Sequence, residues 1–193
     1  MRKSSSRLFY SVVIIGLLAA WYWVELSPVG SRALALCNGG YGTFDMKIYN
    51  VADVLNVLRM MTPEGFSISL RYYIGDFLLI VFFGLLQFKV THDINNIDSS
   101  RCRRLRFLSI TSMFAIVLRG LADILENTVI LRSLFAFPQV STTEIEIASV
   151  ATKVKFALIL LWVLLVLAGL LLRFVCRKEN ERPGGGKEVS NGA

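Results

Sequence analysis

Four apolar runs, each bounded by polar stretches, dominate the pattern of this chain: residues 8–26, 72–90, 107–131 and 156–174. At about 1.5 Å of helix per residue, runs of this length approach the roughly 30 Å thickness of a bilayer's hydrocarbon core. Each is therefore read as a membrane-crossing helix. For the first run the rival is a cleaved signal peptide. Its length, the belt of Trp21, Tyr22 and Trp23 at its far end, and the absence of a small-x-small site directly behind it favour an uncleaved helix. The later Leu34-Ala35-Leu36-Cys37 is a poor lipoprotein cleavage box, because Leu36 is too large before the cysteine and the run lies too far upstream.

The connecting stretches carry their own signals. In the first, residues 27–62, a flexible part with Gly39, Gly40 and Gly42 precedes Asn50, a good helix cap. Behind it Val51, Val54, Leu55, Leu58 and Met61 recur at helical spacing, with Asp53, Asn56 and Arg59 mainly off that stripe. The spacing predicts a short amphipathic helix, lying along the outer membrane face or lidding the bundle. Thr62-Pro63-Glu64 then supplies a capping hydroxyl, a proline for the first helical position and an acid for the first turn. A polar loop at 91–106 and a second external segment at 133–155 follow, and the Gly-rich residues 183–193 are expected to form a disordered tail. The expected fold is all-α: one four-transmembrane-helix bundle over residues 1–182, with the amphipathic helix between spans 1 and 2.

Composition agrees. Of 193 residues 54% are hydrophobic and 18% charged, and the mean hydropathy is +0.58. A soluble domain is nearer a quarter charged. The net charge of +7 does not indicate nucleic acid, because the basic residues gather at the ends of apolar runs and not on one soluble face. The partner expected is the lipid bilayer, and a second copy of the chain or another membrane protein is compatible with it. Arg2, Lys3 and Arg7, then Arg101, Arg103, Arg104 and Arg106, then Arg173, Arg177 and Lys178 flank the same side of the spans. Positive residues favour the cytoplasm, so both termini are expected inside. In a bacterial cell the membrane would be the plasma membrane. With Cys37 expected outside and Cys102 and Cys176 inside, no intramolecular disulfide would join the two sides. Those spacings and the single His92 offer no metal site, and no cofactor-binding motif is present.

Ionisable groups inside a span cost at least about 2.5–3.5 kcal/mol each at the bilayer centre, so they need partners or water. Here Arg119, Asp123, Glu126 and Asn127 fall at i, i+4, i+7 and i+8 on one face of the third helix. Asp76 interrupts the second run at a similar depth. Lys155 enters the fourth from the same side, with Thr152 and Lys153 a turn or less above it. Three helices are thus expected to meet through polar groups in the outer half of the membrane. Tyr72 and Tyr73 read as interface anchors, and Gly75, Gly84, Gly120 and Gly169 as points of close helix approach.

Asp123-Ile124-Leu125-Glu126-Asn127, followed by Ala136-Phe137-Pro138, resembles a family of uncharacterised four-helix integral membrane proteins with an Asp-x-x-Glu-Asn signature in the third helix. Pro63-Glu64-Gly65 with Asp76, and Thr152-x-x-Lys155-Phe156, are similar as well. The resemblance spans about residues 41–172. It implies a four-helix bundle and points to Asp76, Asp123, Glu126, Asn127, Thr152 and Lys155. It brings no activity, and Arg119 is not part of its pattern.

Three functions compete for this cluster. An interhelical clamp in a structural or accessory protein comes first, because polar contacts choose partners and register among helices in lipid. The alternative is binding or transport of a small solute, cation or lipid headgroup. An intramembrane enzyme finds two acids a turn apart but no histidine, activated nucleophile or metal set beside them.

Overall fold

The computed structural model describes residues 2–44, 47–95 and 103–180. Part of the 91–106 loop, including Arg101 and Cys102, and the 183–193 tail lie outside the described residues. All regular structure among the described residues is α-helical: α1 (Arg2–Glu25), α2 (Ser31–Cys37), α3 (Val51–Met60), α4 (Pro63–Asn95), α5 (Arg103–Ala136) and α6 (Thr142–Asn180). The segments Ser6–Glu25, Pro63–Ile94, Leu105–Ala136 and Thr142–Val175 are each long and apolar enough to cross a membrane. They run alternately up and down, with α2 and α3 covering one end of the bundle, called here the capped end. Helix α5 packs most extensively on α6 and next on α4, α1 lies against α4, and α4 meets α6 more lightly. The core is therefore α4, α5 and α6, flanked by α1.

Local chemistry places the helix starts. Asn50 and Asp53 form a reciprocal capping box at α3: the Asn50 side chain accepts from the Asp53 amide at 3.0 Å, and Asp53 accepts from the Asn50 amide at 2.9 Å. Thr62 caps α4 by accepting from the Gly65 amide at 3.1 Å, with Pro63 in the first turn. Val54, Val57 and Leu58 of α3 are buried, so this helix lids the bundle.

Two features depart from the expected boundaries. Helix α2 was not foreshadowed by any periodic stripe. It buries Leu34, its terminal Cys37 carbonyl accepts from the Thr62 amide at 3.0 Å, and the exit turns through Gly39, Gly40 and Gly42 at φ 72, 85 and 81°. The long helices also begin well before their apolar runs. In α6, Ile145, Ala148 and Ala151 are buried while Glu146, Val150 and Lys153 are exposed. Polar residues on the outward face lower the hydropathy without breaking the helix. The second connection thereby shrinks to residues 137–141, across which Arg132 and Glu144 pair at 3.0 Å.

An apolar core fills the capped end, where Phe44, Tyr49, Val54, Leu58, Tyr72, Tyr73, Ile130 and Ile145 pack together. Tyr72 and Tyr73 are buried here as an edge-to-face pair, ring centroids 5.4 Å apart. They are core residues, not interface anchors, because α4 starts two turns earlier than its apolar run and carries them inward.

Of the four glycines expected at close approaches, Gly75 and Gly169 are so placed, while Gly84 and Gly120 face open space. At Gly75 a Cβ would lie 2.2 Å from the Trp23 ring, whose Nε1 donates to the Arg71 carbonyl at 2.9 Å. This contact sets α1 on α4. Gly75→Ala is expected to cost about 1–3 kcal/mol through overpacking, read as a lower melting temperature in detergent. In a Trp23→Ala background the same change should cost much less, and additive losses would show that Trp23 is not the obstacle.

A buried polar cluster as candidate functional site

Six of the seven residues singled out from the sequence join one buried cluster through side chains from three helices. On α5, Asp123 accepts from Arg119 Nη2 at 2.5 Å and from Lys155 Nζ of α6 at 2.9 Å. The same ammonium lies 2.7 Å from Glu126 Oε2, one turn along α5. Asn127 Nδ2 donates to Asp76 Oδ2 of α4. The Arg119 guanidinium carbon sits 4.7 Å from the centre of the Phe83 ring, a cation–π contact that adds a second tie to α4. Asp76, Arg119, Asp123, Glu126, Asn127, Thr152 and Lys155 are all 6% exposed or less.

Thr152 is the seventh. Its hydroxyl donates back to the Ala148 carbonyl of its own helix at 3.0 Å, which satisfies the group locally beside Lys155. Lys153 is exposed and takes no part, so the cluster holds three carboxylates against two cations. Because the helices extend beyond their apolar runs, the cluster lies deeper than those runs place it. Asp76 is about 20 Å along α4 from its start at Pro63, and Arg119 is at the middle of α5.

The polar file continues away from the capped end through residues that the sequence reading passed over. Gln87, Thr91 and Ser112 are buried, at 0, 2 and 3% exposure, and Trp162 Nε1 donates to Thr91 Oγ1 at 3.0 Å. A void of about 10 Å³ lies beside Thr91, Ser112 and Gly169, close to the volume one water occupies. The available signal was spacing: Asp76, Ile80, Phe83, Gln87 and Thr91 recur at steps of three or four residues, which puts them on one face of a packed helix. Gln87 carries no charge, so hydropathy alone left it inconspicuous. Both amide atoms of Gln87, Nε and Nη1 of Arg119, and Oδ1 of Asn127 are buried without a hydrogen-bond partner among the described residues.

Two larger grooves lie elsewhere. One of about 630 Å³ opens beside Cys37, Thr62 and Glu64 at the capped end. The other, about 490 Å³, runs between α5 and α6 past Leu125, Glu146 and Val150. Neither is lined by a residue of the cluster. Outside the spans, the phenol of Tyr41 is pushed up from its ordinary range, by burial first and then by the charge of Asp53. Its ring faces Lys47, whose ammonium lies 4.4 Å from the centroid. Among the described residues no group of three histidine, cysteine, aspartate or glutamate side chains is placed to hold a metal ion.

Four membrane-length helices closed around a charged seam define a polytopic helical membrane protein. Comparison of the chain with family models, curated proteins and solved structures finds no match.

Removing Lys155 would leave Asp123 and Glu126 buried without their shared cation. Lys155→Met is expected to destabilise by about 3–5 kcal/mol, whereas Lys153→Met, two residues away and exposed, should stay within about 0.5 kcal/mol. Denaturation of both variants in the same detergent checks this. Equal effects would mean that the pairing around Lys155 contributes nothing.

Proposed function

We propose that the chain is a structural or accessory membrane protein without catalysis of its own, whose polar cluster clamps α4, α5 and α6 in one register. The observation that carries this reading is Lys155, held at once by two carboxylates of the neighbouring helix. Helices in lipid have little hydrophobic reason to associate, so interhelical hydrogen bonds and ion pairs select the partner and the register. Sliding α6 by one residue turns Lys155 by about 100° and about 1.5 Å along the axis, away from both acids. The basic clusters at the chain ends and at 101–106 support both termini in the cytoplasm. The resemblance to the four-helix family with the Asp-x-x-Glu-Asn signature belongs to the same reading, since Asp123, Glu126 and Asn127 are all in the clamp.

A second reading, binding or transport of a small solute or cation along the seam, is favoured by the orphaned polar atoms of Gln87 and Arg119. Asp123→Asn and Glu126→Gln separate the two, since each keeps shape and removes charge. The clamp predicts that both lose several degrees of melting temperature in detergent or fail to accumulate. Variants as stable as the parent would sink it, because the charges would then be kept for a ligand.

A further inference from the structure

The groove of about 630 Å³ at the capped end has the size of a small-ligand site, and its height against the bilayer says what meets it. Helix α2 is folded tightly onto the end of α1. Ser27 Oγ donates to the Trp23 carbonyl at 2.6 Å, and the Gly30 amide to the Ser27 carbonyl at 2.9 Å. A Cβ at Gly30 would lie 2.7 Å from the Val24 carbonyl oxygen. Helix α2 therefore leaves from the level of the exposed Trp21 and Trp23. Its other end is tied to the start of α4, where the Cys37 carbonyl accepts from the Thr62 amide. Pro28, Ala33 and Leu36 line the groove from the α1–α2 side and Glu64 and Ile68 from α4, and Cys37 lines it as well.

The remote end of the bundle fixes the height. There Lys89 of α4 pairs with Asp93, to which Tyr10 of α1 donates. Counting back from Lys89 by about 20 residues of helix, or roughly 30 Å of hydrocarbon, reaches Ser69. Trp23, bonded to the Arg71 carbonyl, agrees, since indoles gather at that boundary. The groove, on residues 62–68 of α4, thus stands at the height of the lipid headgroups.

Charge is ordered along the same line. Glu64, Ile68 and Arg71 fall at i, i+4 and i+7 on one face of α4. Glu64 and Arg71 are exposed, with the guanidinium-bearing residue on the hydrocarbon side and the carboxylate-bearing one about 10 Å further out. A zwitterionic phospholipid presents the complementary order, phosphate inside and ammonium outside. An anionic phospholipid without an ammonium would set like charge against Glu64. Pro28 lies two residues beyond the exposed Leu26, so the apolar wall continues into the lipid-facing surface of α1.

We propose that this groove binds one zwitterionic phospholipid of the leaflet at the capped end, its phosphate on Arg71, its ammonium on Glu64 and its glycerol region against Pro28 and Ile68. None of these residues belongs to the clamp, so the two readings fail independently.

Cys37, partly exposed and in the groove, is a native reporter. The full chain carrying Cys102→Ser and Cys176→Ser is reconstituted in phosphatidylcholine vesicles and in phosphatidylglycerol vesicles. The rate of Cys37 alkylation by iodoacetamide, a neutral reagent indifferent to surface charge, is then measured. Alkylation should be severalfold slower in phosphatidylcholine, and Glu64→Gln should raise that rate to the phosphatidylglycerol value. Arg71→Gln should do the same, which keeps the test open if Glu64→Gln does not accumulate. Equal rates in the two lipids would overturn the proposal, as would a difference that survives both substitutions. A thiol unreactive in both lipids overturns it too, since the groove would then be covered by protein.

Discussion

A charge between apolar helices has no water to fall back on, and the architecture of this bundle follows from how that need is met. Lys155 is the pivot, with acids on two successive turns of α5 within 2.9 and 2.7 Å of its ammonium. This places α6 against α5 along their length, the most extensive pairing in the molecule. Arg119 extends the seam by one turn and leans on Phe83 of α4, and Asn127 reaches Asp76 on the same helix. Helix α1 joins α4 through Trp23, which is seated on Gly75 and donates to the Arg71 carbonyl, and through Tyr10, whose hydroxyl donates to Asp93.

The two sides of the cluster are built differently. Towards the capped end lies an aromatic and aliphatic core that includes Tyr49, Val54, Tyr72 and Ile145, with α3 pressed into it as a lid. Away from the cap, Gln87, Thr91 and Ser112 keep the seam polar as far as a water-sized void. Buried polar side chains thus recur along the seam on one side of the cluster, while an aromatic and aliphatic core fills the other.

How much of this could be read from residues alone depends on whether the signal was local. The four spans, the Asn50 and Thr62 caps and the face shared by Arg119, Asp123, Glu126 and Asn127 were legible, because each rests on composition or spacing within one stretch. The extra turns of α4 and α6 were not, since a hydropathy reading averages both faces of a helix and the exposed Glu146 and Lys153 mask the buried Ile145 and Ala148. Tyr72 and Tyr73 were misplaced for the same reason. Whether a glycine is crowded, as Gly75 is, or open, as Gly84 is, depends on a neighbour distant in sequence and leaves no local trace.

The separation of Lys155 from its acids also bears on how such a chain is made. Asp123 precedes Lys155 by 32 residues, which at ribosomal speeds of roughly 5–20 residues per second is an interval of a few seconds. During it α5 presents two acids to the membrane with only Arg119 beside them, while α6, the most apolar of the four spans, is still being synthesised. The third span carries acids whose counter-ion the fourth brings. A nascent chain cut short before Lys155 would therefore leave Asp123 and Glu126 without the ammonium they share in the folded bundle.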